Sequence, residues 1–410
     1  MKICRITPAY LPYELGGGII FAENITKELA ARNYENIVIT IIPNNGDSFA
    51  EEKNIKVFGF SPFNIATLHN IRKKNIVGQA LWTVLDIYSF YSYQKIREIL
   101  VKEKPDVVHV HTPIGMTLSV FAAAKSLGLP VVFTLHDYLL LCRRVTLLHA
   151  SGEICTNKNV NPLCRLYRVF TRGIINNKVD VVTAPSKFIL DIFGKNGFFH
   201  DARKIVLPHG VEINIKRPDP ARDLEGSQKT FNILYVGGLT INKGVQVLLN
   251  AFKQINNEKV NLHIVGSGVY ENDLKKIALN DRRIFFHGKF PHEKIQEFYA
   301  MADVLVVPSI WYETFGRVIL EAFNFGVPVI CSNIGGMPEL IADNYNGVLF
   351  EAGDMDSLQK VILKLIAFPE KLKMMKINAC ETAKKYPFSK SVDALIEIYN
   401  KAIETNRSRK

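Results

Sequence analysis

Short runs of valine and isoleucine alternate with helical patterns along almost all of the 410-residue chain. In the first half the runs are KICRIT, NIVITII, DVVHVH, PVVFTL, DVVTAP and KIVLPH. In the second half they are FNILYVGG, NLHIVGSG, RIFFHG, DVLVVPS, PVICSN and GVLFEAGD. Continuous apolar strands with helices between them are typical of parallel sheets that are covered on both faces. The alternation therefore predicts an α/β protein with doubly wound sheets, and a long helical region between NIVITII and DVVHVH.

The alternation is interrupted once, at residues 211–230, which contain two prolines, many charges and no periodicity. Such a segment is typical of a linker. A chain of this length also exceeds what one hydrophobic core usually supports. We therefore predict one Rossmann-like domain over residues 1–212 and a second over residues 213–386. Ligands of such sheets bind beyond the carboxyl ends of the strands, so two facing domains would hold two substrates.

The formal net charge of +12 requires either an anionic partner or a dispersed basic surface. Nucleic acid is disfavoured, because the basic residues neither form a stripe on one helix nor alternate with exposed aromatic residues. The basic cluster at residues 72–74 precedes a Trp- and Tyr-rich helical pattern at residues 75–100. That pattern indicates either a helix lying on an anionic membrane surface or a helix of the core.

No early segment resembles a secretory signal, and no later segment offers about 20 uninterrupted apolar residues. We expect a cytoplasmic protein that can associate peripherally with the inner membrane leaflet. In that compartment the six cysteines should be reduced. Three of them, near His149, could supply a Cys3His zinc site, although the absence of a CxxC pair favours a plain loop. These candidate zinc ligands are Cys142, His149, Cys155 and Cys164.

Two glutamates separated by seven residues mark the main candidate site. Glu313 precedes a predicted helix start at Gly316, and Glu321 lies about two turns further on. The free amides of a helix start bind phosphate, and glycine lets a ligand approach the backbone. A nucleotide sugar would fit, with the diphosphate on the amides, ribose hydroxyls on Glu321 and hexose hydroxyls on Glu313. The alternative is that both are ordinary acids, one at a helix start and one on the surface.

A second glycine turn strengthens the nucleotide interpretation. Gly237, Gly238, Lys243 and Gly244 follow the first strand of the same predicted domain. A lysine at this turn would meet the same diphosphate as the helix start. Two such turns together are more specific than either turn alone.

The first predicted domain contributes a weaker set of candidates. Gly16, Gly17 and Gly18 follow the first strand but match neither the dinucleotide nor the Walker motif. They indicate only that the backbone approaches something closely, which can be a ligand or a packed element. His136 and Asp137 follow PVVFTL, where a histidine is either structural or directed toward a ligand.

The runs GGLTINKG, ETFGRVILE, GVPVICSNIGGMPELI and NGVLFEAGD, with PDVVHVHTP and VTAPSKF in the first half, resemble the retaining glycosyltransferases of family GT4. These enzymes have the GT-B fold, in which two Rossmann-like domains face each other across a cleft. The resemblance implies that residues 1–212 bind the acceptor, that residues 213–386 bind the donor, and that a helix within residues 387–410 packs back on the first domain. It assigns donor binding to Gly237, Gly238, Lys243, Gly266, His287, Gly288, Lys289, Glu313, Thr314, Phe315, Gly316, Arg317 and Glu321, and the acceptor side or diphosphate loop to Gly16, Gly17, Gly18, His136 and Asp137.

The activity implied by the resemblance is transfer of a hexosyl unit, with retention, from a UDP- or GDP-linked sugar to a glycan or lipid-linked acceptor. This reaction would belong to polysaccharide or glycoconjugate biosynthesis. Glu313, Lys243 and His136 are the implied catalytic residues, with His136 orienting sugar or acceptor rather than acting as general base. Gly238 stands where the family commonly has an arginine, so Arg317 is our candidate for the replacement cation.

We expect no cofactor and no catalytic metal. Asp354 and Asp356, the acids of the GDMDSL run, are expected to cap a helix rather than bind an ion. The alternatives are another GT-B enzyme, such as an epimerase or a phosphorylase, and a nicotinamide-dependent oxidoreductase. The oxidoreductase is disfavoured, because NLHIVGSG lacks the acid that would hold the ribose.

Overall fold

The structure is a computed structural model that describes residues 1–10, 16–42, 46–62, 64, 75–149, 151–212 and 230–409. These residues form two compact units. Unit 1 comprises Met1–Leu147, Cys155–Leu207 and Ser391–Lys410, and unit 2 comprises Leu148–Ile154 and Pro208–Lys390. The basic cluster at 72–74 and residues 213–229 of the predicted linker lie outside the described residues.

Unit 1 is built on one large sheet with helices between successive strands. Its strands are β1 (Lys2–Ile6), β2 (Glu35–Ile41), β3 (Asp47–Glu52), β4 (Ile55–Phe60), β5 (Val107–Val110), β6 (Val131–Thr134), β7 (Val181–Ala184) and β8 (Arg203–Val206). Its helices include α1 (Gly16–Ala31), α2 (Ile76–Leu85), α3 (Phe90–Glu103), α4 (Ser119–Ser126), α5 (Pro162–Ile175) and α6 (Lys187–Lys195). The strand order is β3-β4-β2-β1-β5-β6-β7-β8, and all neighbours pair in parallel except β3 and β4.

The hairpin of β3 and β4 corrects the predicted helical region between NIVITII and DVVHVH, of which only α2 and α3 are helical among the described residues. Strand β3 reads DSFAEE and is exposed along its whole length. An edge strand of this kind buries no apolar face, so it has no hydrophobic periodicity to reveal it. Helix α2 is not fully in the core, since it exposes Val77, Leu81 and Val84.

Unit 2 repeats the same architecture on a smaller, wholly parallel sheet. Its strands are β9 (Phe231–Val236), β10 (Val260–Val265), β11 (Ile284–Gly288), β12 (Val304–Val307), β13 (Val329–Ser332) and β14 (Gly347–Phe350), in the order β11-β10-β9-β12-β13-β14. Its helices include α7 (Val245–Lys253), α8 (Glu271–Ile277), α9 (His292–Met301), α10 (Arg317–Asn324), α11 (Met355–Ala367) and α12 (Pro369–Ala383). Two 3-10 turns cover Ile241–Lys243 and Met337–Leu340.

The core of unit 2 has a layer on each face of its sheet. Ile233 and Tyr235 of β9 belong to one buried cluster, and Leu234 between them belongs to the other. Successive side chains of a strand point to opposite faces, so a strand that is apolar at every position needs helices on both sides. This confirms the predicted doubly wound α/β architecture.

The last helix, α13 (Phe388–Ser408), completes the core of unit 1 from Ser391 onward. The buried Arg5 of β1 donates through Nη2 to Tyr399 Oη at 3.3 Å, and His109 Nδ1 lies 2.6 Å from the same oxygen. Asn406 donates to the carbonyl of Gly128 at 2.8 Å. The expected return of the C-terminal helix to the first domain is therefore present. None of the described helices is both long and apolar enough to cross a membrane.

Candidate active site

Two strand-to-helix turns of unit 2 meet at the carboxyl ends of the neighbouring strands β9 and β12. The turn after β9 carries Lys243 and the turn after β12 carries Glu313, and Lys243 Nζ lies 2.5 Å from Glu313 Oε1. A backbone bond of 3.0 Å from Ile310 N to Asn242 O ties the two turns together. The pair thus lies where ligands of parallel sheets bind.

Glycine is required at two points of this junction. Gly244 has a φ of +72°, and a Cβ there would lie 1.8 Å from the carbonyl oxygen of Pro308. Gly335 has a φ of +73°, and a Cβ there would lie 2.5 Å from the carbonyl oxygen of Glu313. Any side chain at either position would clash with the backbone beside the ion pair.

The carboxylate of Glu313 is held as an anion. Its Oε1 accepts from Lys243 Nζ, from Ser309 Oγ at 2.9 Å and from Trp311 Nε1 at 2.9 Å. Burial raises the pKa of this carboxyl, but the Lys243 charge and the three hydrogen bonds outweigh burial and leave the pKa below its usual value. All three bonds go to Oε1, and Oε2 has no hydrogen-bond partner among the described residues.

Helix α10 begins beside this carboxylate without a side-chain cap. Its N-cap is Gly316, with a φ of +92°, and a Cβ there would lie 2.9 Å from Ile319 Cδ1. Arg317 is the first residue of the helix, and its Nε lies 3.0 Å from Oε1 of Glu321, one turn further on. Tyr299 Oη donates to Glu321 Oε2 at 3.1 Å. The two residues that were expected to meet the diphosphate and the ribose separately are therefore bound to each other.

Three glycines of the predicted donor site come together at the ends of β9, β10 and β11. Gly266 N donates to Gly288 O at 2.8 Å, and a Cβ on Gly266 would lie 1.8 Å from the carbonyl oxygen of Gly237. The side chain of His287 is engaged elsewhere, since its Nε2 lies 3.0 Å from His263 Nδ1 and its ring lies 4.7 Å from the Phe298 ring.

The remaining predicted donor residues flank this junction in different ways. The side chain of Lys289 is exposed, whereas Phe315 is buried in the core and Thr314 is partly exposed. Gly238 would meet no heavy atom within 4 Å of an added Cβ. The position where the family commonly has an arginine therefore opens onto free space among the described residues.

In unit 1, the structure brings Gly18 and His136 into contact. A Cβ on Gly18 would lie 2.8 Å from His136 Cγ and 2.9 Å from its Nδ1. His136 Nε2 lies 2.8 Å from His111 Nδ1, and the two rings stack at 5.1 Å. Burial lowers the pKa of His136 to about 4, so the imidazole is neutral at physiological pH. Sequence reasoning missed His111, although the HVH pattern places two histidines on one side of β5 and its continuation.

The other residues of this predicted set lie nearby in the chain. Asp137 Oδ2 accepts from Thr112 Oγ1 at 3.0 Å, and its Oδ1 accepts from Leu139 N at 2.8 Å. Gly16 is the first residue of α1, and a Cβ on Gly17 would meet nothing within 4 Å. Between Gly17 and Gly18, it is therefore Gly18 at which an added side chain would clash with a neighbour.

The structure does not gather the predicted zinc ligands. Among the described residues, no three His, Cys, Asp or Glu side chains are grouped closely enough to hold a metal ion. His149 falls in the Leu148–Ile154 segment of unit 2, whereas Cys142, Cys155 and Cys164 belong to unit 1. Among the described residues, these four side chains therefore form no metal site.

The expected capping role of Asp354 is confirmed. It is the N-cap of α11, and its Oδ1 accepts from the backbone N of Asp356 at 2.9 Å and of Ser357 at 3.0 Å. These bonds satisfy amides that the helix itself leaves unpaired.

Comparison with known proteins identifies the family of the chain. A family model described as "Glycosyltransferase Family 4" matches residues 15–215, and one described as "Glycosyl transferases group 1" matches residues 219–382. An uncharacterized glycosyltransferase of Methanocaldococcus jannaschii is 26% identical over 401 residues, which are 95% of this chain and 95% of that protein.

Two solved structures share the fold over the whole chain. Sucrose-phosphate synthase of Thermosynechococcus elongatus has a TM-score of 0.75 at 19% identity, covering 98% of this chain and 99% of that one. The Anabaena protein HepE in complex with UDP has a TM-score of 0.71 at 20% identity, covering 98% and 100%. The chain therefore belongs to the GT4-type glycosyltransferases and has the GT-B fold.

Proposed function

We propose that this glycosyltransferase moves a hexosyl unit, with retention, from a UDP- or GDP-linked sugar to a hydroxyl of a glycan or lipid-linked acceptor. The observation that carries the proposal is the Lys243–Glu313 pair beside the uncapped start of α10. A cation, a carboxylate and free helix amides at one edge of a sheet are what a sugar diphosphate needs. Binding of UDP by the structurally similar HepE supports a nucleotide donor.

In this proposal unit 2 binds the donor. The diphosphate lies on the first amides of α10, where Gly316 allows close approach. Lys243 Nζ has three N–H donors, so it donates one hydrogen bond to Glu313 and another to the diphosphate. The hexose donates a hydroxyl to Glu313 Oε2, the carboxylate oxygen without another partner. The ribose donates to Glu321, whose position is fixed by Arg317 and Tyr299.

The chemical step separates charge, and residues of unit 2 stabilise the negative charge that develops. As the bond from C1 to the phosphate oxygen breaks, positive charge grows on the sugar and negative charge on the departing diphosphate. Lys243 and the helix amides stabilise the diphosphate, and one such donor contributes about 3 kcal/mol to lowering the barrier. The acceptor oxygen bonds to C1 from the face that the diphosphate leaves, and its proton passes to the departing phosphate oxygen.

Unit 1 binds the acceptor in this proposal, with His136 as an orienting residue. Its pKa of about 4 makes the ring a weak base, which suits a hydrogen bond to the acceptor rather than proton removal. His111 holds the orientation of the ring through the bond at His136 Nε2. We propose that no cofactor or divalent metal is needed, because a lysine and helix amides already stabilise the leaving charge.

A lipid-linked acceptor and peripheral binding to the inner membrane leaflet are part of the same proposal. Helix α5 exposes Leu163, Leu166, Val169 and Phe170. Leu166 follows Leu163 by three residues, and Val169 and Phe170 follow Leu166 by three and four, so the four share one face. Arginines at positions 165 and 172 belong to the same helix. An apolar stripe with arginines nearby suits an anionic lipid surface.

The deciding experiment is product analysis with a radiolabelled panel of UDP- and GDP-sugars, with and without acceptor extracts. Transfer of label to an acceptor, with the anomeric configuration of the donor retained, is the expected result. Label that stays on the nucleotide as an epimer would identify an epimerase instead. A protein that uses none of the nucleotide sugars but converts a glycan and inorganic phosphate into sugar 1-phosphate would be a phosphorylase. Thermal stabilisation selects the donor, since a ligand at 100 times its Kd adds about 2.7 kcal/mol.

A further inference from the structure

A small cavity in unit 1 lies outside the residues assigned above. Its volume is about 20 Å³, and it lies between α2, α5 and the loops that follow β5 and β6. The residues of its wall on which the inference depends are Trp82, Asp86, Pro113, Leu139, Arg143 and Tyr167. A space of this size admits one group as large as a water molecule.

Asp86 gives the cavity an unsatisfied polar group. This residue caps the C-terminus of α2, is only 9% exposed, and accepts from Gly115 N through Oδ2 at 3.0 Å. Its Oδ1 is buried and has no hydrogen-bond partner among the described residues. Leaving such an oxygen unpaired destabilises the fold, so a hydrogen-bond partner is expected. Burial raises the pKa of Asp86 to about 8, so at neutral pH the carboxyl carries a proton that it can donate.

Arg143 adds a cation to the same wall. Its side chain is partly exposed and forms neither a hydrogen bond nor a salt bridge with the described residues. By contrast, Arg168 on α5 donates to the carbonyl of Leu141 and to two asparagines. An unpaired guanidinium at a cavity suits a phosphate or carboxylate on a ligand, which it can bind through two parallel hydrogen bonds.

The cavity adjoins the predicted acceptor side through shared loops. Pro113 of its wall follows Thr112, which donates to Asp137, and Leu139 of its wall also donates to Asp137. Tyr167 Oη donates to the carbonyl of Leu139 at 2.8 Å, which fixes α5 against this loop. The cavity therefore lies at the carboxyl-end edge of the unit 1 sheet, beside the residues expected to meet the acceptor.

We propose that the cavity is an acceptor subsite that takes one hydroxyl group of a phosphorylated sugar, with Asp86 bound to that hydroxyl and Arg143 bound to the phosphate. This inference rests on the proposed function, because it names the class of acceptor. The phosphorylated sugar can be a free sugar phosphate or the head of a lipid-linked glycan, since both present the same groups.

The two tryptophans of the chain provide separate readouts of the two units. Trp82 lines the cavity, whereas Trp311 lies beside Glu313 in unit 2. In a Trp311→Phe variant, the emission of Trp82 reports on the cavity, and in a Trp82→Phe variant the emission of Trp311 reports on donor binding.

The first experiment titrates the Trp311→Phe protein with the 1-phosphates of glucose, galactose and mannose. We expect at least one of them to change the Trp82 emission saturably, and methyl glycosides and inorganic phosphate to bind at least tenfold more weakly. Failure of all three sugar phosphates, or equal binding of inorganic phosphate, would overturn the subsite. A decyl ester of the best sugar phosphate distinguishes the sources: tighter binding of the ester assigns the subsite to a lipid-linked acceptor, and equal binding assigns it to a free one.

Variants test the two contacts, each beside a matched control. Asp86→Leu should weaken sugar phosphate binding at least tenfold, whereas Asp86→Asn, which keeps the shape and a neutral donor, should change it less than threefold. Arg143→Gln should weaken binding at least tenfold, whereas Arg144→Gln, at an exposed neighbour that does not line the cavity, should leave it unchanged. Equal behaviour within either pair would contradict the assigned contact.

Titration of the Trp82→Phe protein with UDP and with GDP separates this inference from the proposed function. Binding of either nucleotide without sugar phosphate binding removes the subsite and leaves the donor site intact. Sugar phosphate binding without binding of UDP or GDP supports the subsite and removes the proposed donor.

Discussion

Replacement of Lys243 by methionine tests the centre of the proposed mechanism. The methionine keeps the apolar stem of the side chain but removes the charge that lies 2.5 Å from Glu313. We expect kcat to fall about 100-fold, because the leaving diphosphate loses one charged donor worth about 3 kcal/mol. The free energy of unfolding of unit 2 should fall as well, because a partly buried carboxylate loses its cation.

The stability effect follows from the exposure of the pair. Breaking a fully buried ion pair costs about 3 to 5 kcal/mol. Lys243 retains 30% of its side-chain exposure and Glu313 retains 13%, so water replaces part of the lost interaction. We therefore expect unit 2 to lose about 2 kcal/mol. Lys275→Ala, which removes an exposed pair with Glu271, is the control and should cost less than about 0.5 kcal/mol.

The pH dependence of this loss has a definite sign. The folded-state pKa of Glu313 lies below its usual value, so the pair stabilises the fold above about pH 4.3 and loses this effect as pH falls through the folded pKa. Without Lys243, burial instead favours the neutral acid. The difference between the parent and Lys243→Met should therefore be largest at neutral pH and should shrink near pH 4.

Urea unfolding, followed by Trp311 emission in a Trp82→Phe background, measures these free energies locally. The double variant Lys243→Met with Glu313→Gln should recover most of the stability that Lys243→Met loses, since no buried charge remains unpaired. A parent-like kcat in Lys243→Met, or strictly additive effects in the double variant, would refute the reasoning.

Three further outcomes follow from the geometry. Gly18→Ala places a methyl group 2.8 Å from the His136 ring and should lower transfer at least tenfold without changing UDP-induced thermal stabilisation, whereas Gly194→Ala, with free space around its Cβ on the exposed side of α6, should leave the rate of transfer within twofold; equal rates in the two variants would exclude the contact. The fraction of protein that sediments with phosphatidylglycerol vesicles should fall at least fivefold in Phe170→Asp but not in Met374→Asp, at an equally exposed site of unit 2. Equal binding to phosphatidylglycerol and phosphatidylcholine vesicles would contradict the proposed anionic surface. Activity should stay within twofold in EDTA, and a loss that magnesium restores would contradict the proposed metal independence.

The fold could be predicted because its signals are local. A strand such as β9 is apolar at every position and ends in a glycine turn, so its neighbours along the chain suffice to identify it. The edge strand β3 carries no such pattern, since exposed positions accept polar residues freely. The prediction therefore fails at the hairpin of β3 and β4, where the exposed strand β3 has no pattern that predicts it.

The site was predictable as a set of turns but not as a set of contacts. Lys243 and Glu313 could each be placed at the end of a strand in the same domain. Their direct bond depends on the order of the strands in the sheet, which cannot be read from the sequence. The pairing of Arg317 with Glu321 is different, because the i, i+4 spacing on a helix was visible and predicts such a pair. The contact of His111 with His136 depends on the pairing of β5 with β6, so neither run of sequence predicts it alone.

The position of α13 in the core of unit 1 has a consequence for synthesis. The first 207 residues leave the ribosome with Arg5 and His109 still lacking the phenol of Tyr399, to which both are bonded in the finished protein. At about 5 to 20 residues per second, Tyr399 follows roughly 10 to 40 s later. The core of unit 1 is therefore completed only after the whole of unit 2 has been translated. Truncation of the chain before Tyr399 would remove hydrogen bonds of β1 and β5, the strands that carry Arg5 and His109.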